Sequence, residues 1–226
     1  MLKQWTPERL WYYDAYQGTG ISTRLQRMVI IRLHASELVI ISPVELTTQL
    51  QLALSELGNI ATVVAPSPNQ HQHLSDWWLA YPQAYFIATP TVVQKRTDLN
   101  FDAALSNQSF ELWKGELLQT TISGLTQPRK TLFCDPISQT LILPDFVIGA
   151  QSHLPKFQRI FAHLEGARNH LKYPIKDRLS IDNPAIFRAG IQQVMTWPFD
   201  RIIASNGIVI ESQAKQQLSR AFNWLF

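Results

Sequence analysis

The sequence has a single cysteine, Cys134, so no disulfide bond can form within the chain. This is typical of proteins kept in a reducing compartment, and we expect a cytoplasmic location. The first residues lack the continuous apolar segment of a secretory signal peptide, and no run approaches the ~18 apolar residues that a membrane-spanning helix needs. We therefore expect no association with a membrane.

Charged residues are also scarce, at 16% of the chain, and the net charge is only +3. A nucleic-acid-binding protein of this size usually carries a larger and more clustered basic excess, so we do not expect a nucleic-acid partner. Apolar residues make up 46% of the 226 residues, which is typical of a folded protein and enough for one large α/β core. We predict a single domain over residues 1–226.

Short β-branched runs alternate with helical patterns, which favours a layered α/β fold. Residues 28–33 and 38–41 predict a hairpin at the start of a sheet. Ser42 is expected to begin a helix through a capping box with Glu45, and Gly58 to end it. Further strands are predicted at residues 60–64, 84–88, 117–122, 130–134, 140–143 and 201–204, and helices at 74–79, 90–96, 154–164 and 186–195.

Both ends of the chain are rich in aromatic residues. Residues 1–20 form an aromatic N-terminal segment that is expected to cover the core. A C-terminal helix is predicted within residues 212–226, with Ser212 as its cap. The final residues Trp224, Leu225 and Phe226, or the N-terminal aromatics, offer a surface for association with a second copy of the chain.

The most informative stretch follows the predicted strand at 60–64 and reads Ala65-Pro66-Ser67-Pro68-Asn69-Gln70-His71. The order of strands and polar strand ends resembles the metallo-β-lactamase fold, a four-layer α/β/β/α sandwich. The chain is more closely similar to an uncharacterised branch of that superfamily, whose loop reads Ala-Pro-Asn-x-x-His-His. Other similar blocks are Ser42-Pro43-Val44, Trp77 with Tyr81-Pro82, Lys95-Arg96-Thr97-Asp98-Leu99-Asn100-Phe101-Asp102, Trp113-Lys114-Gly115-Glu116-Leu117, and Thr140-Leu141-Ile142 with Asp145.

The resemblance implies that most metal ligands are missing. Active members carry His-x-His-x-Asp-His in this loop, where three histidines and an aspartate help to hold two metal ions. The two leading histidine positions are Pro66 and Pro68 here, the aspartate position is Gln70, and only His71 is kept. The bridging aspartate resembles Asp145, and Asn206 takes the place of the final histidine.

Two standard ligands fall short of the three that a protein zinc site needs. We therefore expect no metal and no other cofactor. If zinc is bound, His71 and Asp145 are its ligands, with His73 as a borrowed third. Without metal, His71 and Asp145 are expected to form a buried hydrogen-bonded pair.

A nucleophilic site is disfavoured. Ser67, His71 and Asp145 are the residue types of a catalytic triad, but Ser67 lies between two prolines and no nucleophile elbow is present. Cys134 lies in the apolar run Thr131-Leu132-Phe133-Cys134, which predicts a packing role.

The leading hypothesis is a noncatalytic metallo-β-lactamase-like protein that binds a small polar ligand or another protein. Six residues are predicted to line its cleft: Ser67, Asn69, Gln70, His71, Asp145 and Asn206. Two alternatives stay open. One is a hydrolase with an atypical single-metal site, and the other is a structural or assembly role through the aromatic termini.

Overall fold

Two β-sheets pack face to face in the computed structural model, which describes residues 2–126, 129–167 and 170–226. The first sheet has seven strands in chain order: β1 (Leu2–Thr6), β2 (Leu10–Gln17), β3 (Arg24–Arg32), β4 (Glu37–Ile41), β5 (Asn59–Ala65), β6 (Tyr85–Ala88) and β7 (Ala103–Ala104). Strands β1 to β4 are antiparallel, and β4 to β7 are parallel.

The second sheet contains the predicted meander, β8 (Leu118–Thr121), β9 (Thr131–Asp135) and β10 (Thr140–Leu143). Strand β11 (Arg201–Ala204) pairs parallel to β10, and β12 (Val209–Ile210) pairs antiparallel to β11. The helices are α1 (Thr48–Ser55), α2 (Leu74–Ala80), α3 (Pro90–Lys95), α4 (Lys156–Leu164), α5 (Ile175–Arg178), α6 (Pro184–Thr196) and α7 (Ala214–Ala221). None of these helices, within the described ranges, is long and apolar enough to cross a membrane.

Side-chain alternation along the strands produces three apolar layers. In β3, Val29 and Ile31 pack between the two sheets, whereas Met28 and Ile30 pack against the outer layer that contains α1, α2 and α3. This is the period of two that a strand imposes on its side chains. A third layer packs the second sheet against α6 and α7. The architecture is the α/β/β/α sandwich that the sequence predicts.

The aromatic N-terminal segment forms strands β1 and β2 of the first sheet. Strand β2 pairs with β3 from Leu10 opposite Ile31 to Gln17 opposite Arg24. The Trp5 indole donates a hydrogen bond of 3.0 Å to the Thr140 hydroxyl of the second sheet. Aromatic residues pack well on a pleated sheet, so this signal for strands was present in the sequence.

Two predicted helix caps are wrong. Helix α1 begins after Thr47, whose hydroxyl accepts a hydrogen bond from the Leu50 amide at 3.2 Å. Ser42 instead has a φ of 62°, and its hydroxyl donates a hydrogen bond to Gln70. The N-cap residue of α7 is Gln213 rather than Ser212.

Helix α4 forms where its apolar spacing predicts it, but it does not pack like a core helix. Ile160 is 55% exposed and Leu164 is 82% exposed. Ala162 is the buried residue of this helix. Phe157 and Phe161 are half-buried and line an open cleft instead of resting on a sheet.

Candidate ligand-binding cleft

The ends of β5, β10 and β11 meet at one edge of the sandwich and frame a cleft of about 540 Å³. Parallel or like-oriented strand ends bring their following loops together, and open α/β sheets commonly bind ligands there. Four of the predicted residues, Asn69, Gln70, Asp145 and Asn206, line the cleft. Ser67 is buried behind its wall.

Asp145 is held by hydrogen-bond donors from its own chain. The Ser67 hydroxyl donates to Oδ1 at 3.0 Å, and the Asn69 side-chain amide donates to Oδ2 at 2.8 Å. The Lys130 ammonium donates to the Asp145 main-chain oxygen at 2.7 Å and to Asp177 Oδ2 at 3.1 Å. The carboxylate is thus oriented by Ser67 and Asn69.

Electrostatics keep the Asp145 carboxyl ionised. Burial acts to raise its pKa, but the nearby Lys130 ammonium and the two donors Asn69 and Ser67 outweigh burial, so the pKa is lowered. A charged carboxylate that accepts hydrogen bonds and faces a cation is stabilised in its ionised form. Asp145 therefore remains an anion near neutral pH.

Gln70 connects the two sheets. Its side-chain oxygen accepts a hydrogen bond of 3.0 Å from the Ser42 hydroxyl, which follows β4. Its side-chain nitrogen donates at 2.6 Å to the Ser205 hydroxyl, which follows β11. All three side chains are buried, so the amide satisfies two hydroxyl groups that would otherwise be buried without these partners.

Asn206 fixes the loop after β11. Its side-chain nitrogen donates to the Val147 main-chain oxygen at 2.7 Å. Its own main-chain oxygen accepts from Gln158 of α4 at 2.9 Å. Gln158 also accepts from the Leu25 amide at 2.8 Å, so this one glutamine attaches α4 to both sides of the cleft.

The His71 and Asp145 side chains bond to other residues, so the expected hydrogen-bonded pair between them is wrong. The His71 ring nitrogen Nε2 is 2.9 Å from the Lys95 ammonium, and Arg96 donates to the His71 main-chain oxygen at 2.7 Å. Burial, with the nearby charges of Lys95 and Arg96, lowers the pKa of His71. The ring is therefore neutral near pH 7, and its Nε2 accepts a hydrogen bond from the Lys95 ammonium.

Ser67, His71 and Asp145 do not form a catalytic triad. The Ser67 hydroxyl donates directly to Asp145, with no histidine between the two groups. Burial raises the pKa of the Cys134 thiol to about 12, so this buried cysteine is a poor nucleophile and serves packing.

The donors at the cleft do not fit a zinc centre. Pro66 and Pro68 carry no side-chain ligand atom, and His73 contacts Gln17 at 2.9 Å. Among residues 2–126, 129–167 and 170–226, no three His, Cys, Asp or Glu side chains are grouped as a metal ion would require. The Lys130 ammonium adds a positive charge where a metal cation would be repelled.

Several residues of the cleft were missed by sequence reasoning. Lys130 and Asp177 form an ion pair in its wall, and Ser42 and Ser205 hold Gln70. Ser205 follows a predicted strand and so carried a positional signal. Lys130 and Asp177 are separated by 47 positions in the sequence, and no local pattern links them.

No protein-family model matches the sequence, and no curated protein sequence matches it either. Solved structures do match. A metallo-β-lactamase from Pontibacter korlensis aligns with a TM-score of 0.66 and 10% identity, over 100% of this chain and 98% of that one. The FIM-1 metallo-β-lactamase from Pseudomonas aeruginosa in its mono-zinc form has a TM-score of 0.65 and 8% identity, over 99% and 95% of the two chains.

A flavodiiron core, Flv1 from Synechocystis, is also similar, with a TM-score of 0.64 and 13% identity over 96% of this chain and 59% of that one. At such low identities the likeness concerns the backbone arrangement alone. It agrees with the two stacked sheets and the outer helices. The chain has the metallo-β-lactamase fold.

Proposed function

We propose that this protein is a noncatalytic member of the metallo-β-lactamase-like proteins, with a degenerate metal site and a cleft that binds a small polar ligand. The observation that carries the proposal is the set of hydrogen bonds that Asp145 accepts. Ser67 and Asn69 already donate to its two carboxylate oxygens, and Lys130 donates to its main chain. A hydrogen-bonded network stands where active members of the superfamily are expected to hold metal.

The positive charge of Lys130 supports the proposal that no metal ion binds at Asp145. A divalent cation at Asp145 would meet the Lys130 ammonium, and like charges repel. The one histidine kept from the superfamily pattern, His71, is engaged with Lys95. The similarity to the uncharacterised branch with the Ala-Pro-Asn-x-x-His-His loop is part of this same proposal.

The cleft keeps capacity for a ligand. Its volume of about 540 Å³ falls within the range of small-molecule sites. Each Asp145 carboxylate oxygen accepts one of the hydrogen bonds described above, and its second lone pair can accept another. Burial and the nearby Asp177 raise the pKa of Tyr173 in the wall, so its hydroxyl stays protonated and can donate.

Metal analysis tests the noncatalytic proposal. We expect plasma mass spectrometry of protein purified without added metal to find far less than one zinc, iron or manganese per chain. One equivalent of metal that disappears in the variant His71→Ala would contradict the proposal and favour the single-metal hydrolase.

A fragment screen by ligand-observed NMR tests binding. Polar fragments are expected to bind the unaltered protein and to lose affinity with Asp145→Asn, while the distant exposed change Glu111→Gln has no effect. If no fragment responds to Asp145→Asn, the cleft is not a ligand site and an assembly role gains support.

A further inference from the structure

The charges of the cleft are distributed unevenly between its interior and its opening. Inside, Lys130 is paired with Asp177 at 3.1 Å and lies close to Asp145. At the opening, Arg24 at the start of β3 and Lys176 of α5 are exposed and line the cleft. Neither of these two side chains forms an ion pair with another residue in the described parts of the chain. The opening therefore has two uncompensated positive charges.

The wall beside these charges is apolar. Phe157 and Phe161 of α4 present half-buried rings to the cleft, and Leu154 and Ile148 add aliphatic surface. The Arg24 guanidinium lies over the Phe157 ring, 5.2 Å from its centroid. A cation thus lies against an aromatic surface that is open to the cleft.

Two hydrogen bonds of Gln158 help to fix helix α4 in this position. Gln158 bonds to the Leu25 amide at 2.8 Å and to the Asn206 main-chain oxygen at 2.9 Å. These bonds account for a helix that leaves two phenylalanines facing an open space. Exposed aromatic rings in a concave site are a preferred surface for the apolar part of a ligand.

We propose that the cleft binds a small organic acid with an apolar body, whose anionic group is held at the opening by Arg24 and Lys176 and whose body packs on Phe157 and Phe161. This inference rests on the proposed binding function and specifies its ligand class. In the interior, the Asp145 and Asp177 carboxylates carry one more charge than Lys130 balances. The anionic head therefore stays at the opening, and the apolar body lies along the aromatic side chains of α4.

Calorimetric titration with three probes of equal length tests the inference: octanoate, octan-1-ol and octylammonium. Octanoate is expected to bind roughly five-fold or more tightly than octan-1-ol, because two partly exposed ion pairs contribute modestly. Octylammonium is expected to bind more weakly than both. Acetate, which lacks the apolar body, is expected not to bind measurably.

Variants separate the two parts of the site. Arg24→Gln and Lys176→Gln are each expected to weaken octanoate binding ~3-fold and to leave octan-1-ol unchanged. Lys156→Gln is the matched control, since Lys156 is an exposed cation of α4 that does not line the cleft. Phe157→Ala is expected to weaken octanoate and octan-1-ol alike, and the half-buried position of Phe157 allows the variant to fold.

Equal affinity for octanoate and octan-1-ol, or tighter binding of octylammonium, would overturn the inference about the anionic head. So would charge variants that bind octanoate as the unaltered protein does. If none of the three eight-carbon probes binds, but polar fragments still respond to Asp145→Asn, the inference fails and the proposed binding function stands. If neither the probes nor the fragments bind, both fail together.

Discussion

At the scale of single residues, the candidate site is organised by side chains that satisfy one another. Gln70 has an amide that both donates and accepts, so it can serve the Ser42 and Ser205 hydroxyls at once. A carboxylate at this position could only accept. Asp145, in turn, receives donors on both oxygens. The chemistry of each residue type explains how these side chains satisfy one another.

Replacing Gln70 with an apolar residue should be costly. We expect Gln70→Leu to lower the free energy of unfolding by about 1–3 kcal/mol, because the Ser42 and Ser205 hydroxyls lose a buried partner. Urea unfolding followed by tryptophan fluorescence measures this difference. The control is Gln72→Leu at a neighbouring exposed position. Equal stability of the two variants would show that the amide bridge contributes nothing.

The Asp145 carboxylate predicts a dependence of stability on acid pH. Its folded pKa is lowered from the unfolded value of 3.8, so its contribution is present above that value and is lost as the pH falls through the lower, folded pKa. Below about pH 4, the free energy of unfolding should fall more steeply for the unaltered protein than for Asp145→Asn. Parallel pH profiles from urea unfolding between pH 2 and pH 7 would refute this assignment.

At the scale of elements, local patterns predicted which segments are helices and strands better than where the helices begin. Ser42 and Glu45 have the residue types of a capping box, yet the Ser42 hydroxyl bonds to Gln70, 28 positions away. The chain therefore continues as a loop until Thr47. The helix period of residues 46–57 was visible in the sequence, but the competing partner of Ser42 was not.

Two variants test where helices α1 and α7 begin. Thr47→Ala is expected to lower the free energy of unfolding by about 0.5–2 kcal/mol, because the Leu50 amide loses its acceptor. Ser212→Ala, at the cap predicted from sequence, is expected to change it by less than about 0.5 kcal/mol. Thermal unfolding measures the stability of both variants. A larger loss of stability in Ser212→Ala than in Thr47→Ala would contradict this assignment of the caps.

At the scale of the whole molecule, the site depends on both halves of the chain. Residues after β5 come from the first sheet, and Asp145 and Asn206 follow β10 and β11 of the second. A metal ion bound to both sets would join the two sheets. Here the bond from Gln70 to Ser205 and those from Ser67 and Asn69 to Asp145 make that connection.

Restoring the missing ligands should therefore not restore hydrolysis. We expect the combined variant Pro66→His, Pro68→His, Gln70→Asp and Asn206→His to take up more metal, with lactam, thioester and phosphodiester turnover near background. In the unaltered chain the two prolines fix φ in this loop, so its backbone must change before the new histidines can point at one metal ion. Lys95 also still contacts His71. The four substitutions add no partners to orient the new histidines, and such partners typically matter ~10–100-fold in affinity or activity.

Plasma mass spectrometry and turnover assays on the combined variant make this measurement, with alanine at the same four positions as the control. Robust turnover by the histidine and aspartate variant would show that only the metal ligands themselves had been lost.

The sequence by itself determined the layered α/β class and most strand and helix positions, because alternation and helical spacing are local. It also determined that positions 66 and 68 offer no side-chain ligand atom, because a proline has none whatever its surroundings. The tertiary structure decided which groups meet. The hydrogen bond between Gln70 and Ser205 joins residues 135 positions apart. The His71 ring contacts Lys95 instead of Asp145. Such pairings depend on how strand ends converge when the two sheets pack, and no local pattern encodes that convergence.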